Sequence, residues 1–234
     1  MKSASPWLAG VRDTVPMLVG AAPFGVIFGA LAVGAGLSPA ATLAMSACVF
    51  AGSSQFVAVS LIGAGAALPV IWLTTLVVNL RHALYSASLL PYAQGWPLAA
   101  RLPLSFWLTD ESYAVVEHRL RTGLADGGLA YAFGSSLAMY LNWLAFTAVG
   151  VLLGREAPGL ADWGLDFAML ATFAAIVAPQ LKHRPSLAAA VAASAVALVG
   201  HGWPYKLGLM AAAVAGVAAG LAAEAASARK EGGA

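Results

Sequence analysis

Two groups of ionisable residues sit inside stretches that otherwise avoid water. Val77–Ser86, VVNLRHALYS, carries Asn79, Arg81, His82 and Tyr85, and Ser105–Val116, SFWLTDESYAVV, carries Asp110 and Glu111. A central arginine costs roughly 2.5 to 3.5 kcal/mol on membrane-insertion scales, and intramembrane charges line a pathway or pair with one another. If the first stretch is helical, Thr75, Asn79, His82 and Ser86 share one face, and Thr74, Arg81, Tyr85 and Ser88 share another. Little of it can then touch lipid. Arg81 can balance a substrate carboxylate, hold an acidic residue ionised, or form a packing ion pair with Asp110 or Glu111. His82 can exchange a proton near neutral pH, although a lone histidine more often satisfies one hydrogen bond. Adjacent carboxylates on a helix point about 100° apart, so one of Asp110 and Glu111 needs a partner unless both are solvated at the interface.

Two further motifs disturb apolar runs at similar depth: APFG at Ala22–Gly25, and GSSQ at Gly52–Gln55. Pro23 removes a backbone donor, and Gly25 and Gly52 loosen a helix, so the freed polar groups must face protein or water. Discontinuous midplane helices are a common way to build transporter sites, with N-terminal amides toward a carboxylate and unwound carbonyls toward a cation. The candidate substrate contacts are therefore Pro23, Phe24, Gly25, Gly52, Ser53, Ser54 and Gln55, together with Asn79, Arg81 and Tyr85. His82, Asp110 and Glu111 are the candidate proton or charge-coupling groups. The plainer alternatives are a packing kink at Pro23, a small-residue contact from Gly25 to Gly29, and hydrogen bonds by Ser53 to Gln55 worth about 1 kcal/mol or less each.

The elements that position these residues follow from composition. The 234 residues are 61% hydrophobic and 9% charged, where soluble domains carry about a quarter charged. This predicts an all-α, polytopic inner-membrane protein forming one transmembrane domain, 1–234. Apolar length places segments at 14–35, 40–62, 68–90, 98–115, 128–153, 162–181, 186–200 and 205–223. The fourth contains charges and the seventh is short, so either can be re-entrant, and the count is seven to eight with several segments discontinuous at the midplane. With eight crossings, Lys2, Arg12, Arg119, Arg121, Lys182, Arg184, Arg229 and Lys230 share the side of the N-terminus, which the positive-inside tendency makes cytoplasmic. The first run, 22 residues from Thr14 and preceded by Arg12 and Asp13, reads as a span and not as a signal peptide.

A formal charge of +2 with scattered basic residues argues against nucleic-acid binding. Cys48 is the only cysteine, so neither an internal disulfide framework nor a cysteine metal site is expected. No H-E-x-x-H, G-x-S-x-G or paired-aspartate motif is present, which leaves an enzyme unsupported and predicts no cofactor or metal. A passive channel is the remaining alternative.

Four blocks then carry a resemblance: Pro23-Phe24-Gly25, MSACVFAGSSQF at Met45–Phe56, NLRHALYS at Asn79–Ser86, and LTDESYA at Leu108–Ala114. They resemble the AzlC-type branched-chain amino acid permease family, the large subunit of a two-component exporter. The resemblance implies export of leucine, isoleucine, valine and related neutral amino acids such as methionine across the inner membrane. It also implies an ion gradient, with the proton favoured, and a small hydrophobic AzlD-type partner. A zwitterion needs an anionic contact, a cationic or amide contact and an apolar pocket, and the first four segments offer all three.

Overall fold

The computed structural model describes residues 5–122, 127–156, 178, 181–203 and 207–231. Among them the long elements are all helices: α1 Pro6–Gly34, α2 Pro39–Cys48, α3 Gly52–Gly63, α4 Leu68–Ala93, α5 Leu98–Phe106, α6 Asp110–Arg121, α7 Gly128–Glu156, α8 Arg184–Val199 and α9 Leu207–Glu231. They form two compact units, one of 1–65 with 75–165, the other of 66–74 with 166–234. The expected segment 162–181 lies almost wholly outside the described residues.

The first unit is organised on α1 and α7, each of 29 residues and so about 43 Å long. Glycines let their backbones touch. A Cβ built on Gly10 would lie 2.1 Å from the Tyr131 carbonyl oxygen, one on Gly29 2.3 Å from that of Thr147, and one on Gly150 2.1 Å from that of Val26. The contact partners rise together in both helices, so α1 and α7 run parallel. This close small-residue packing also holds α1 unbroken through Pro16 and Pro23. The expected interruption at Pro23 and Gly25 is therefore corrected: the helix passes straight through. Gly150→Leu would force the two backbones apart and is expected to cost about 3 kcal/mol or more, read as a clear loss of thermal stability in detergent.

Parallel α1 and α7 require an odd number of crossings between them, and the structure supplies one, α4. The second expected span turns back on itself. Along α2, the contacts with α7 descend from Thr147, which shares a 2.9 Å hydrogen bond with Ser46, to Tyr140, whose hydroxyl donates to the Ala47 carbonyl at 3.0 Å. Along α3 they climb again: Gly52 lies against Trp143, the Phe56 ring is 6.0 Å from Phe28, and Gly63 reaches Ala35 at the end of α1. Gln55 Nε2 donates to Ser46 Oγ at 3.1 Å across the bend. In one straight helix those residues would be about 13 Å apart along the axis. Val49 (φ −121°, ψ 51°) and Ala51 (φ −155°, ψ 91°) make the turn.

The fourth expected span does the same from the opposite end. α5 climbs from Trp96, beside Gly128, to Trp107, whose ring is 5.7 Å from that of Tyr140. α6 then descends until Arg119 lies over the Tyr131 ring at 5.1 Å and Leu120 packs on Gly128. Thr109 starts the new helix with a capping box closed by Ser112. Segments two and four are thus hairpins that turn back: for the fourth this is the re-entrant alternative its charges allowed, and for the second it corrects an expected crossing. Hydropathy alone could not distinguish the cases, because a hairpin and a span can hold equally many apolar residues.

Between the hairpins α4 runs antiparallel to α7, bringing Leu89 into a core with Leu104, Leu108, Leu120 and Tyr131 near the start of α7. Among the described residues three helical stretches are both long and apolar enough to cross a membrane: Pro6–Gly34, Gly128–Glu156 and Met210–Ser227. α4 has the length, 26 residues or about 39 Å, but carries Asn79, Arg81 and His82. In the second unit α8 and α9 pack antiparallel, with Gly216 against Ala193 and Ala189 and Gly220 against Ala189 and Pro185.

Candidate functional site

The bends of both hairpins lie near the middle of α7, and the middle of α4 passes beside them. Arg81 Nη1 donates to Asp110 Oδ2 at 2.6 Å, Nη2 donates to Ser53 Oγ, and the Tyr85 hydroxyl donates to Asp110 Oδ1. One guanidinium therefore joins the first turn of α3, the centre of α4 and the first turn of α6. Tyr113 stacks on Tyr85 at 4.5 Å and shares a 3.0 Å hydrogen bond with Ser88. The Arg81 and Asp110 side chains are 28% and 32% exposed, so the pair is reachable from outside the chain.

Two helix N-termini converge here, each with the positive end of its dipole toward Arg81. They are not equivalent. The α6 terminus is capped by Thr109 and carries Asp110 and Glu111 in its first turn. The α3 terminus begins at Ala51 with no side-chain cap, so its leading amides can receive an anion. Thr109→Ala is expected to cost about 1 kcal/mol through the lost cap, seen as a modest drop in thermal midpoint with the hairpin retained.

The remaining predicted residues divide into groups. Asn79 and His82 flank Arg81 on α4; Asn79 Oδ1, Arg81 Nε and His82 Nε2 are buried without hydrogen-bond partners among the described residues. Glu111 follows Asp110 and is half-buried. Gly52 is held against Trp143, 3.0 Å from a built Cβ. Ser54 and Gln55 are fully buried on the other side of α3: Ser54 Oγ donates to the Ala51 carbonyl, and Gln55 joins Ser46 and Thr147. Residues two apart on a helix point about 200° from each other, which is why Ser53 meets Arg81 and Gln55 does not. Gln55 Oε1 and Trp143 Nε1 are also buried and unpartnered among the described residues, and each such group costs about 1 to 3 kcal/mol unless a ligand or water meets it.

Pro23, Phe24 and Gly25 stand apart from the Arg81 cluster. Pro23 is exposed, Phe24 is half-buried, and Gly25 is pressed on Phe146 of α7, 2.9 Å from a built Cβ. Sequence reasoning missed Ser46, Thr109, Tyr113, Trp143 and Thr147. Only Thr109 carried a local signal, a threonine followed by two acids and then Ser112, the pattern of a helix start.

The fold and site define a polytopic helical membrane protein with two hairpins meeting at a charged centre. Residues 16–156, covering α1 from its third turn to the end of α7, match the family model described as AzlC protein, and the chain belongs to the AzlC family. It is 33% identical over 168 residues to the branched-chain amino acid transport protein AzlC of Bacillus subtilis, covering 71% of this chain and 65% of that one. It is 26% identical over 191 residues to the inner membrane protein YgaZ of Escherichia coli, covering 79% and 77%. An uncharacterized membrane protein of Archaeoglobus fulgidus is 32% identical over 210 residues, covering 88% and 90%. No solved structure matches. The chain is thus a membrane transport protein of this family and not an enzyme.

Proposed function

We propose that this chain is the permease subunit of a secondary transporter that exports branched-chain and related neutral amino acids across the inner membrane, working with a small hydrophobic AzlD-type partner. The observation that carries the reading is the Arg81–Asp110 pair at the junction of the two hairpin bends. Arg81 and the uncapped α3 terminus take the substrate carboxylate, while Asp110, supported by Glu111, takes its ammonium. A zwitterion inserted between them replaces one ion pair by two, so neither protein charge is left unpaired in a low-dielectric setting. Tyr85, Ser53 and Asn79 orient the ends of the ligand. The buried set around Gln55 holds the first hairpin in register.

The N-terminus is cytoplasmic in this reading. Arg12, Arg101, Arg119 and Arg121 then gather on one side, and Arg155 alone marks the opposite end of α7, a stronger bias than eight crossings give. Proton coupling falls to His82 and the two carboxylates, the groups of the cluster able to take up a proton.

The test is counterflow of labelled leucine, isoleucine, valine and methionine in proteoliposomes holding the chain and its partner. A pH gradient should drive accumulation, and His82→Gln should blunt the gradient's effect while sparing counterflow. Saturable flux indifferent to every gradient would mean facilitated diffusion, and no flux would reject the transport reading.

A further inference from the structure

A second chamber lies apart from the Arg81 centre. It is a half-open pocket of about 300 Å³ formed by the latter half of α4, by α5, and by parts of α6 and α7, on the side where α1 and α7 begin. Its lining is largely aliphatic, with Leu89, Leu104, Leu108 and Val116 buried and Leu98 and Leu102 exposed. Among the described residues that line it, Arg101 is the one charged side chain, and there is no carboxylate. Among the described residues Arg101 also has no ion-pair partner, and its Nε is buried without a hydrogen-bond acceptor. A cation beside an aliphatic cavity, with no acid to balance it, has an unmet electrostatic demand.

We propose that this chamber is a separate binding site for a short branched aliphatic monocarboxylate, with Arg101 holding the carboxylate and the leucine walls holding the alkyl group. The site differs in kind from the centre above it. No carboxylate in its lining would balance an ammonium, so the deaminated counterpart of a branched amino acid suits it better than the amino acid. A volume of about 300 Å³ is at the small end of ligand pockets, which favours a short acid over a two-tailed phospholipid. The chamber also ends close to the charged centre without including it: Ser86 and Leu108 line it, one residue from Tyr85 and two from Asp110. Occupancy there can therefore bear on α6 while leaving the pair in place.

The probe is radiolabelled 4-methylpentanoate, measured by equilibrium dialysis against the full chain in lipid nanodiscs. Saturable binding is expected. Arg101→Gln should weaken it about tenfold or more, as loss of a charge-assisted hydrogen bond does, and Arg101→Lys should recover part of the loss. Leu102→Trp, which fills the chamber while keeping the arginine, should abolish it. Arg155→Gln, exposed at the far end of α7, should leave it unchanged, and leucinol, with the same alkyl group and no carboxylate, should not compete. Absence of saturable binding, or binding that survives both Arg101→Gln and Leu102→Trp, overturns the proposal. Displacement by phospholipid but not by short carboxylates assigns the chamber to acyl chains and overturns it equally. The assay needs no transport, so its result and the fate of the transport reading are independent.

Discussion

Arg81→Ala alone is expected to lower both the yield of folded protein and leucine flux, whereas Arg81→Ala combined with Asp110→Ala should restore the yield and leave flux abolished. Removing one member of a fully buried ion pair costs about 3 to 5 kcal/mol, mostly because the other charge is stranded. With the two side chains about one-third exposed, solvent screening reduces that to about 1 to 2 kcal/mol. The double variant strands nothing. Flux behaves differently, since each deletion removes a contact to one pole of the zwitterion, and charge-assisted contacts are worth about 1.5 to 3 kcal/mol apiece. A loss of about 100-fold or more in counterflow is expected in the double variant even where thermal stability matches the wild type. If that variant transports normally, the pair is a packing element and the substrate binds elsewhere.

The second large effect concerns topology and is nearly all or none. In a Cys48→Ser background, single cysteines replacing exposed Ala40 and Ala64, at the two ends of the first hairpin, should react with an impermeant maleimide from the same side of the membrane. Cysteines replacing exposed Gln94 and Thr122, which bracket the second hairpin, should both react from the other side. A chain that crossed at each of these segments would place the members of each pair on opposite faces. One pair labelled from both sides would remove re-entrance for that hairpin, and with it the convergence of helix termini on Arg81.

Much of this architecture was legible from apolar length. The expected spans 14–35, 68–90 and 128–153 correspond to α1, α4 and α7 within a few residues at most ends, the start of α1 being the largest difference. The direction of travel was not legible. Residues 40–62 hold enough apolar side chains to cross ~30 Å of hydrocarbon, and the turn at Val49–Ala51 has no proline to announce it; only in 98–115 did the charges Arg101, Asp110 and Glu111 allow for re-entrance. The Arg81–Asp110 contact could be anticipated because a charge in an apolar segment needs its opposite. The separation of Gln55 from Arg81 could not, because it depends on α3 starting afresh at Gly52. Pro23 misled for a physical reason: a missing backbone donor breaks a helix only where nothing holds it straight, and α7 holds this one.

The turned-back hairpins have a mechanical consequence. A plug whose two ends leave by the same face can be drawn toward that face without dragging any connection through the oily interior. Two such plugs stand head to head beside a twin-helix post, each with its own connections to the rest of the chain. Their fastenings differ, since the first is tied by buried hydroxyl and amide bonds around Gln55 and the second by a leucine-rich core with Leu89 and Tyr131 and by the aromatic surfaces of Trp107 and Tyr140. If the hairpins serve as the doors of the proposed transport cycle, they would yield under different loads.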